Sequence, residues 1–469
     1  MFERVLVANR GEIAVRVIRA LHELGVEAVA VYSTADEDAL HVRLADRAVR
    51  IGPPAAAQSY LSVPAIVAAA ETTGCEAIHP GYGFLAENPA FVEACAANDL
   101  VFIGPSADVM ARMGDKAQAK LEMKAAGVPL VPGTEGAATL GQARAVAAEL
   151  GYPILLKAVA GGGGKGMRLV EEEETLERAF ATAAAEAEAA FGDGTLYVER
   201  VIVPARHVEI QVLCDSEGGV LTLGERECSI QRRHQKLIEE SPSPALTPEL
   251  REEMEAAAER ACRHLDYRNA GTFEFLVGPD GSFSFIELNA RLQVEHPVSE
   301  LVTGIDIVRE QVRIAAGEPL HVTGRAPRRG HAIEIRINAE DPEQAFAPSP
   351  GRVERFRPPL GPFVRVDTFV EDGAVISPYY DSLLGKLIVW DVDRGGAIAR
   401  ALRALGELEV EGVRTTRDFA AGVLASRPFV SGEYSTSFLE EQVATTSRRL
   451  DGGDQGAEVP ALPAPERER

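Results

Sequence analysis

Apolar residues in the first hundred positions form short β-branched runs separated by helical patterns. Residues 4–8 and 27–32 are such runs, and the segment between them repeats apolar residues at helical spacing and ends at Gly25. Further runs occur at 76–80 and 100–104. Strands that alternate with helices are typical of a parallel sheet. The pattern therefore predicts a Rossmann-like domain over residues 1–113. The glycine-rich dinucleotide fingerprint is missing after the first strand, where the sequence reads Asn-Arg-Gly-Glu.

The rest of the chain predicts two further domains and a tail. A central domain over 114–330 combines strands and helices that indicate an antiparallel sheet backed by helices, with a small α/β lid inserted at about 131–203. A mixed domain follows over 331–445, and the Gly-, Pro- and Glu-rich residues 446–469 predict a disordered tail. The fold class is therefore α/β and α+β.

Composition agrees with this size and excludes some partners. At roughly 150 residues per domain, 469 residues correspond to about three domains. Lys and Arg total 48 and Asp and Glu total 71, which gives a net charge of −23. Such an acidic surface repels phosphate backbones and anionic headgroups, so we expect neither nucleic acid nor membrane as a partner. The five cysteines lack metal-site spacing and no secretion signal is evident, so we expect a cytoplasmic protein.

A run of glycines at 161–164 follows a predicted strand that carries Lys157. Glycines leave backbone N–H groups unobstructed, which suits phosphate oxygens. The run is not a Walker A loop, because Val159 stands where the first glycine is required and Gly166 follows Lys165. The segment is either a phosphate-binding loop of another kind or a flexible surface turn.

Two carboxylates of a predicted hairpin lie on one face. A loop of two or four residues around 278–281 would place Val277 opposite Ser282. Glu274 and Glu287 would then be diagonal neighbours, roughly 7–8 Å apart at the backbone. Period-2 alternation adds Asn289 to this face, and three such oxygen donors suit one or two Mg²⁺ ions. The alternative is a pair of solvated strand faces.

A cationic run and an alternating polar segment complete the candidate chemistry. The run predicts a positive patch for anionic oxygens, or else a solvated face, and comprises Arg226, Arg232, Arg233, His234 and Lys236. Beyond the metal strand, Arg291, Gln293 and Glu295 occupy alternate positions. A cation, an amide and a carboxylate could bind a small anion and remove its proton.

Long collinear motifs identify a resemblance to a known family. They are VLVANRGEIA, IHPGYGFLAEN, GGGGKGM, RHVEIQ, ERECSIQRRHQK, FEF, IELNARLQVEHPVSE, HAIEIRINAEDP and SPYYDSLLGKLIV. Together they resemble the biotin carboxylase subunit of acetyl-CoA and related acyl-CoA carboxylases, which are ATP-grasp enzymes, over about residues 2–445. Ala290, Leu288 and Ile335 depart from common family residues, but none replaces a reacting group.

The resemblance implies a set of ATP and metal contacts. ATP is expected to be held by Lys116, Lys157, the lid glycines Gly162, Gly163, Gly164 and Gly166, Glu199, the Ile202 backbone, Leu276, His207, Gln231 and His234. Magnesium, or manganese, is expected as two ions on Glu274, Glu287 and Asn289.

The resemblance also implies the reacting groups. Bicarbonate is expected on Lys236, Arg291, Gln293 and the Val294 N–H, with Glu295 as the base that lets it attack ATP and form carboxyphosphate. Arg336 is expected to stabilise the biotin enolate, although an outward strand arginine paired with an acid is the simpler interpretation of its position. Tyr82 is expected to line the biotin pocket, or to be a structural tyrosine.

Biotin needs a carrier, and the carrier attachment site of the family is a Met-Lys-Met turn. The nearest match here is the helical Glu122-Met123-Lys124-Ala125. We therefore expect the biotin carboxyl carrier protein and the carboxyltransferase to be separate chains, and the resemblance implies a homodimer. Two other functions remain as alternatives: another ATP-grasp ligase that joins a carboxylate to an amine, and a catalytically silent nucleotide-binding regulator.

Overall fold

The computed structural model describes residues 1–134, 136–159 and 166–441. The predicted tail and the glycines 161–164 lie outside these ranges. The helices of the described residues are α1 (Gly11–Glu23), α2 (Leu40–Leu44), α3 (Val63–Thr73), α4 (Pro89–Ala97), α5 (Ala107–Gly114), α6 (Lys116–Ala125), α7 (Leu140–Leu150), α8 (Glu173–Phe191), α9 (Pro248–Leu265), α10 (His296–Thr303), α11 (Ile307–Ala315), α12 (Arg394–Glu407), α13 (Arg417–Ala425) and α14 (Arg427–Ser431).

The strands occur in three main sheets and several short pairs. They are β1 (Arg4–Val7), β2 (Glu27–Ser33), β3 (Arg47–Gly52), β4 (Ala77–His79), β5 (Val101–Phe102), β6 (Ile154–Ala158), β7 (Met167–Val170), β8 (Leu196–Arg200), β9 (Arg206–Cys214), β10 (Val220–Arg232), β11 (Gln235–Ser241), β12 (Asn269–Val277), β13 (Phe283–Asn289), β14 (Gly324–Arg325), β15 (His331–Asn338), β16 (Glu340–Asp341), β17 (Ala347–Pro348), β18 (Gly351–Arg352), β19 (Arg355–Arg357), β20 (Val364–Thr368), β21 (Val375–Ile376), β22 (Leu383–Asp391) and β23 (Glu409–Glu411).

The N-terminal sheet is parallel, as predicted, with the strand order β3-β2-β1-β4-β5. Its central strand is buried on both faces, because helices cover both sides of a parallel sheet. The edge strand β3 is absent from the sequence prediction. It reads RAVRIG and is largely exposed, so it lacks the apolar run that indicates a buried strand.

The lid is a small three-stranded antiparallel sheet in the order β7-β6-β8, covered by α7 and α8. Residues of these helices and strands form a hydrophobic cluster of their own. The lid therefore carries an internal core, in agreement with a unit inserted into the chain.

A long, largely antiparallel sheet connects the central and C-terminal segments. Its order is β13-β12-β9-β10-β11-β15-β22-β20, with β14 parallel to β10. Strand β11 pairs with β15, so the sheet continues across the predicted boundary at residue 330. Helix α10, which the sequence pattern did not predict, starts directly after Glu295. The mixed architecture confirms the predicted fold class, whereas the domain boundaries themselves stay predictions.

The predicted register of the β12–β13 hairpin is wrong. Gly278 N–H donates to the Ser282 carbonyl at 2.8 Å, which closes a three-residue loop whose last residue, Gly281, has a φ of 79°. Val277 therefore pairs with Phe283 and not with Ser282. A bulge then adds one residue to β13, so that Glu274 and Glu287 become direct partners instead of diagonal ones.

Candidate active site

The paired carboxylates lie at the end of the long sheet. Glu274 is buried, and its Oε1 accepts a hydrogen bond from Asn289 Nδ2 at 2.9 Å. Glu287 stands opposite Glu274 and is exposed to solvent. These two carboxylates and the amide form an oxygen donor set of the kind that Mg²⁺ prefers, so the residues present fit the ion.

Lys236 connects this donor set to two other buried acids. Its Nζ lies 2.6 Å from Glu209 Oε2, 2.9 Å from Glu274 Oε1 and 2.6 Å from Glu295 Oε1. Burial alone would lower the pKa of this amine, but the three carboxylates hold it well above its ordinary value. Lys236 is therefore a fixed positive charge at the centre of the site.

Glu295 is fully buried between two cations. One oxygen bonds Lys236, and Oε2 accepts from Arg336 Nη2 at 2.8 Å. Although burial opposes ionisation, Lys236, Arg336 and Arg226 hold the pKa of Glu295 well below its ordinary value. Arg336 also donates from Nε to Glu239 Oε1 at 2.6 Å. Arg336 is therefore a strand arginine paired with acids, as the simpler interpretation of its position expects. One of these acids, however, is Glu295, the candidate base.

The alternating polar residues after β13 converge on the same place. Arg291 donates to Asn289 Oδ1 at 2.8 Å and to Gln293 Oε1 at 3.0 Å. Gln293 Nε2 donates to Glu274 Oε1 at 3.0 Å. Glu87 holds the Arg291 guanidinium from the other side, with 2.8 Å between Nε and Oε2. A cation and an amide donor therefore lie beside the carboxylate pair and the candidate base.

The predicted cationic patch is wrong as a single surface. Arg226 is fully buried and bonds Glu209, Gln211 at 2.7 Å and Thr272 at 3.0 Å. The cationic run in the sequence does not reveal that Arg226 is buried, because β10 is buried on both faces along most of its length. Arg233 and His234 form the exposed turn between β10 and β11, and both have positive φ angles, 48° and 65°. Among the cations of the run, Lys236 bonds Glu274 and Glu295, whereas Arg226 bonds only Glu209 of this carboxylate cluster.

His207 and Gln231 lie on the same face of the long sheet as Glu274 and Lys236. His207 Nε2 is 2.8 Å from Glu274 Oε2, and its Nδ1 is 3.5 Å from Gln231 Nε2. Burial opposes protonation of His207, yet the Glu274 charge raises its pKa above the ordinary value. The imidazole therefore contributes to holding Glu274 in place.

The predicted ATP contacts that the structure describes lie on helix α6, in the lid and on the long sheet. Lys157 Nζ lies 2.6 Å from Glu199 Oε2, and burial together with the Lys157 charge lowers the pKa of Lys116. Ile202 and Leu276 are both half-buried. Gly166 has a φ of 75° and an added Cβ would lie 2.8 Å from Ala158 Cβ, so this position requires glycine. The predicted contacts Gly162, Gly163 and Gly164 lie outside the described residues.

Three charged residues of the site, Lys120, Glu209 and Glu239, were not predicted from the sequence. Lys120, one helical turn after Lys116, lies 2.7 Å from Glu199 Oε1 and over the Tyr197 ring at 4.1 Å. Glu209 could have been found, because it alternates with His207 in the motif RHVEIQ and so shares its face. No local sequence pattern indicates Glu239, because it meets Arg336 only through the pairing of β11 with β15.

Tyr82 lines a cavity of about 330 Å³ between the N-terminal and C-terminal segments. Its hydroxyl donates to the buried Glu12, and Arg10, Tyr380 and Asp381 are also in the lining. The tyrosine is thus both hydrogen-bonded to the scaffold and available to a ligand in the cavity. Among the described residues, no helix combines the length and apolar character needed to cross a bilayer.

Comparison with known proteins first gives the class of the enzyme. Residues 115–323 match the family described as the ATP-binding domain of the carbamoyl-phosphate synthase L chain. Flanking segments match the N-terminal domain of biotin carboxylase over 1–110 and its C-terminal domain over 334–441. The central domain and its lid are those of an ATP-dependent ligase of the ATP-grasp type.

The chain belongs to the biotin carboxylase family. It is 52% identical over 442 residues to a biotin carboxylase of Nostoc sp., which covers 94% of this chain and 99% of the relative. It is also 52% identical over 443 residues to a pyruvate carboxylase subunit of Methanothermobacter thermautotrophicus, covering 94% and 90%. A crystal structure of a biotin carboxylase complex from Campylobacter jejuni superposes with a TM-score of 0.91 at 48% identity, covering 94% of this chain and 99% of that one.

A second solved structure is similar over 98% of this chain and 100% of its own length, with a TM-score of 0.90 and 47% identity. It is the biotin carboxylase domain dimer of the Hydrogenobacter thermophilus 2-oxoglutarate carboxylase, in complex with MgADP, ADP and bicarbonate. Membership of the family confirms the resemblance inferred from the motifs.

Proposed function

We propose that this chain carboxylates biotin on a biotin carboxyl carrier protein with ATP and bicarbonate, as the first half-reaction of an acyl-CoA carboxylase. The observation that carries the proposal is the placement of Glu295. This buried carboxylate lies between Lys236 and Arg336 and beside the Glu274–Glu287 pair. The bonded cluster of these side chains supports roles for them as a base, as anion-binding cations and as a metal donor set.

In the first step Glu295 takes the proton of bicarbonate. Lys236, Arg291, Gln293 and the Val294 N–H orient the anion, so that one of its oxygens attacks the γ-phosphorus of ATP. The bond to ADP breaks and carboxyphosphate forms. Lys116 and Lys157 neutralise phosphate charge, and Glu274, Glu287 and Asn289 would hold Mg²⁺, which screens the phosphate oxygens when bound.

In the second step carboxyphosphate releases CO₂ and phosphate. The phosphate takes the proton from the ureido nitrogen of biotin, and the resulting enolate attacks CO₂ to form the new C–N bond. Arg336 stabilises the enolate oxygen, since a guanidinium keeps its charge at any working pH. Tyr82 lines the pocket that receives the biotin ring.

The remaining ATP contacts in this proposal surround the nucleotide base and ribose. Glu199 and the Ile202 backbone bind adenine, Leu276 packs on it, and His207, Gln231 and His234 approach the ribose and phosphates. The lid glycines, including Gly166, close over the phosphates.

The proposed partners are a separate carrier protein, a separate carboxyltransferase and a second copy of this chain. Two relatives support this, since one is a subunit of a pyruvate carboxylase and the other was crystallised as a dimer. The cytoplasm is the proposed compartment, because it supplies ATP and keeps thiols reduced, and the five cysteines are free and buried.

The test measures ATP hydrolysis by the purified chain with Mg²⁺, with and without bicarbonate and free biotin, alongside carboxybiotin formed from labelled bicarbonate. We expect phosphate release to require bicarbonate and to rise with biotin. Glu295→Gln should lower the rate by about 10²–10⁴-fold, while Glu217→Gln in an exposed turn should not. Turnover that needs a different carboxylate and an amine would instead identify another ligase, and no turnover would indicate a silent nucleotide binder.

A further inference from the structure

A fully buried lysine joins three segments of the chain beneath the active site. Lys386 lies on β22, directly opposite Arg336 of β15, and its side chain has no exposed surface. Its Nζ donates to the Val294 carbonyl at 2.8 Å and lies 3.1 Å from Glu12 Oε1. The C-terminal segment thus contacts the N-terminal helix α1 and the central segment through one ammonium group.

The carbonyl that Lys386 holds belongs to the turn that leads into Glu295. The preceding carbonyl, of Gln293, accepts from the buried His296 Nδ1 at 2.8 Å. The peptide bonds here are trans, so each N–H points away from the carbonyl of its own planar unit. His296 fixes the Gln293–Val294 peptide and therefore the direction of the Val294 N–H. Lys386 fixes the Val294–Glu295 peptide and therefore the backbone position of Glu295.

Glu12 extends this connection to the cavity. It is buried, and the carboxylate oxygen nearest Lys386 also accepts from the Tyr82 hydroxyl. The contacts Tyr82–Glu12–Lys386–Val294 form a continuous buried path from the proposed biotin pocket to the proposed bicarbonate turn.

The acids around Lys386 keep its side chain protonated. Asp367 of β20 pairs with it in the ladder, and Glu334 lies two residues before Arg336 on β15. Burial opposes protonation, but Glu12, Glu334 and Asp367 outweigh both burial and the nearby Arg365, and the pKa of Lys386 is raised. An ammonium is a stronger donor to the Val294 carbonyl than a neutral amine.

We propose that Lys386 is a positioning residue that orients the bicarbonate-binding turn 293–295 and, through Glu12 and Tyr82, couples that turn to the biotin pocket. This inference rests on the proposed function, because it concerns bicarbonate and biotin. The coupling acts through direct contacts. A ligand that moves Tyr82 breaks the hydrogen bond from its hydroxyl to Glu12. Glu12 and the Lys386 ammonium can then shift, and this ammonium holds the Val294 carbonyl.

The test compares steady-state constants of Lys386→Met with those of the unsubstituted enzyme. We expect the KM for bicarbonate to rise and kcat to fall, each by about tenfold or more, because a charged hydrogen bond to a buried carbonyl is lost. The KM for ATP should change by less than about twofold, since the proposed ATP contacts lie on other elements. Stimulation of ATP hydrolysis by biotin should disappear.

Glu12→Gln tests the coupling independently and keeps the side-chain volume. It leaves the bond from Lys386 to Val294 but removes the ion pair, so we expect near-normal constants for bicarbonate with reduced stimulation by biotin. Arg394→Gln is the matched control, because Arg394 is a half-buried cation of the same segment that bonds Glu240 and the carbonyls of Phe429 and Val430. It should lower thermal stability without changing the KM for bicarbonate.

Several results would overturn the inference. An unchanged KM for bicarbonate in Lys386→Met, or an equal rise in the KM for ATP, would indicate a purely structural lysine. If Lys386→Met does not fold, normal biotin stimulation in Glu12→Gln would refute the coupling. The proposed function fails separately, since in that case the unsubstituted enzyme itself would show no bicarbonate-dependent turnover.

Discussion

Arg336 Nη2 lies 2.8 Å from Glu295 Oε2, so the proposed stabiliser of the biotin enolate is bonded to the proposed base. Arg336 also bonds Glu239, whose second oxygen is buried and lacks a hydrogen-bond partner among the described residues. Burial raises the pKa of Glu239 to about 7, even though Arg336 opposes this. The guanidinium is therefore shared between two buried carboxylates, and Glu295 is one of them.

Removing this cation should change the pH dependence of the base. Arg336 favours the ionised form of Glu295, so Arg336→Met should raise the pKa of Glu295 and shift the acid limb of activity to higher pH. The measurement is kcat/KM for bicarbonate against pH, without biotin and at a constant concentration of the bicarbonate ion. Arg403→Met, which removes an exposed pair with Glu407, is the control. An acid limb that stays in place would show that Arg336 does not tune Glu295.

The metal donor set can be tested most cleanly at Glu287. Glu274 also bonds Lys236, His207, Asn289 and Gln293, so changing it would disturb the whole cluster. Glu287→Gln removes one oxygen charge with little change in volume. We expect the Mg²⁺ concentration for half-maximal activity to rise by about tenfold, because a carboxylate is a far stronger Mg²⁺ ligand than an amide.

The readout for Glu287→Gln is a Mg²⁺ titration of activity together with nucleotide binding measured without the ion. Binding without Mg²⁺ should change little, and Glu217→Gln should leave the titration unchanged. A normal Mg²⁺ requirement in Glu287→Gln would remove this residue from the proposed donor set.

The sequence predicted correctly that Glu274, Glu287 and Asn289 share one face of the hairpin, but it did not predict the register in which the two strands pair. Period-2 alternation placed Glu274, Glu287 and Asn289 on one face, and that grouping holds. The loop length and the bulge, which make Glu274 and Glu287 direct partners, depend on the turn around Gly281 and have no apolar pattern to reveal them. The pattern could say that two strands pair, but not with which register.

Charges also had to be placed in three dimensions before their roles could be separated. Arg226 and Lys236 belong to one cationic run, yet the first is buried among Glu209, Gln211 and Thr272 and the second bonds the reactive carboxylates. Lys386 and Glu12 gave no signal at all, because helix α1 and strand β22 meet only in the folded chain. Long-range contacts of this kind cannot be derived from local spacing.

Lys120 should affect ATP binding through Glu199. Both Lys120 and Lys157 bond this carboxylate. In the proposed function Lys157 neutralises phosphate charge of ATP, and we expect it to leave Glu199 when it does so. Lys120 then neutralises the Glu199 carboxylate that Lys157 leaves behind. Lys120→Met should therefore raise the KM for ATP by several-fold to about tenfold, because release of Lys157 would strand a buried charge.

The comparison for Lys120→Met is Leu121→Ala, an exposed position of the same helix. The KM for bicarbonate should be unchanged in both variants, since neither residue contacts the 293–295 turn. Equal KM values for ATP in Lys120→Met and the unsubstituted enzyme would show that Glu199 does not compete with the nucleotide for Lys157.

Glu240 provides a test of folding that is independent of catalysis. Its carboxylate is buried and bonds His331 at 2.6 Å and Arg394 at 2.7 and 3.0 Å, and it also accepts from the Tyr434 hydroxyl. Burial opposes ionisation, but the bonds to His331 and Arg394 lower the pKa of Glu240 to about 2. Because the folded-state pKa is depressed, the stabilisation is present above the unfolded value and is lost as pH falls from about 4.5 toward 2.

We therefore expect Glu240→Gln to lower the free energy of unfolding at pH 7 by on the order of 3 kcal/mol, the value of a depression of this size. The difference between the two proteins should shrink as the pH is lowered through 4 to 3, because the carboxylate of the unsubstituted chain then takes up its proton on unfolding. Urea denaturation at several pH values measures this difference. Glu407→Gln, at the exposed pair with Arg403, should leave stability nearly unchanged at every pH. A difference that stays constant between pH 7 and pH 3 would mean that the charge on Glu240 does not stabilise the fold, and that its packing and neutral hydrogen bonds do.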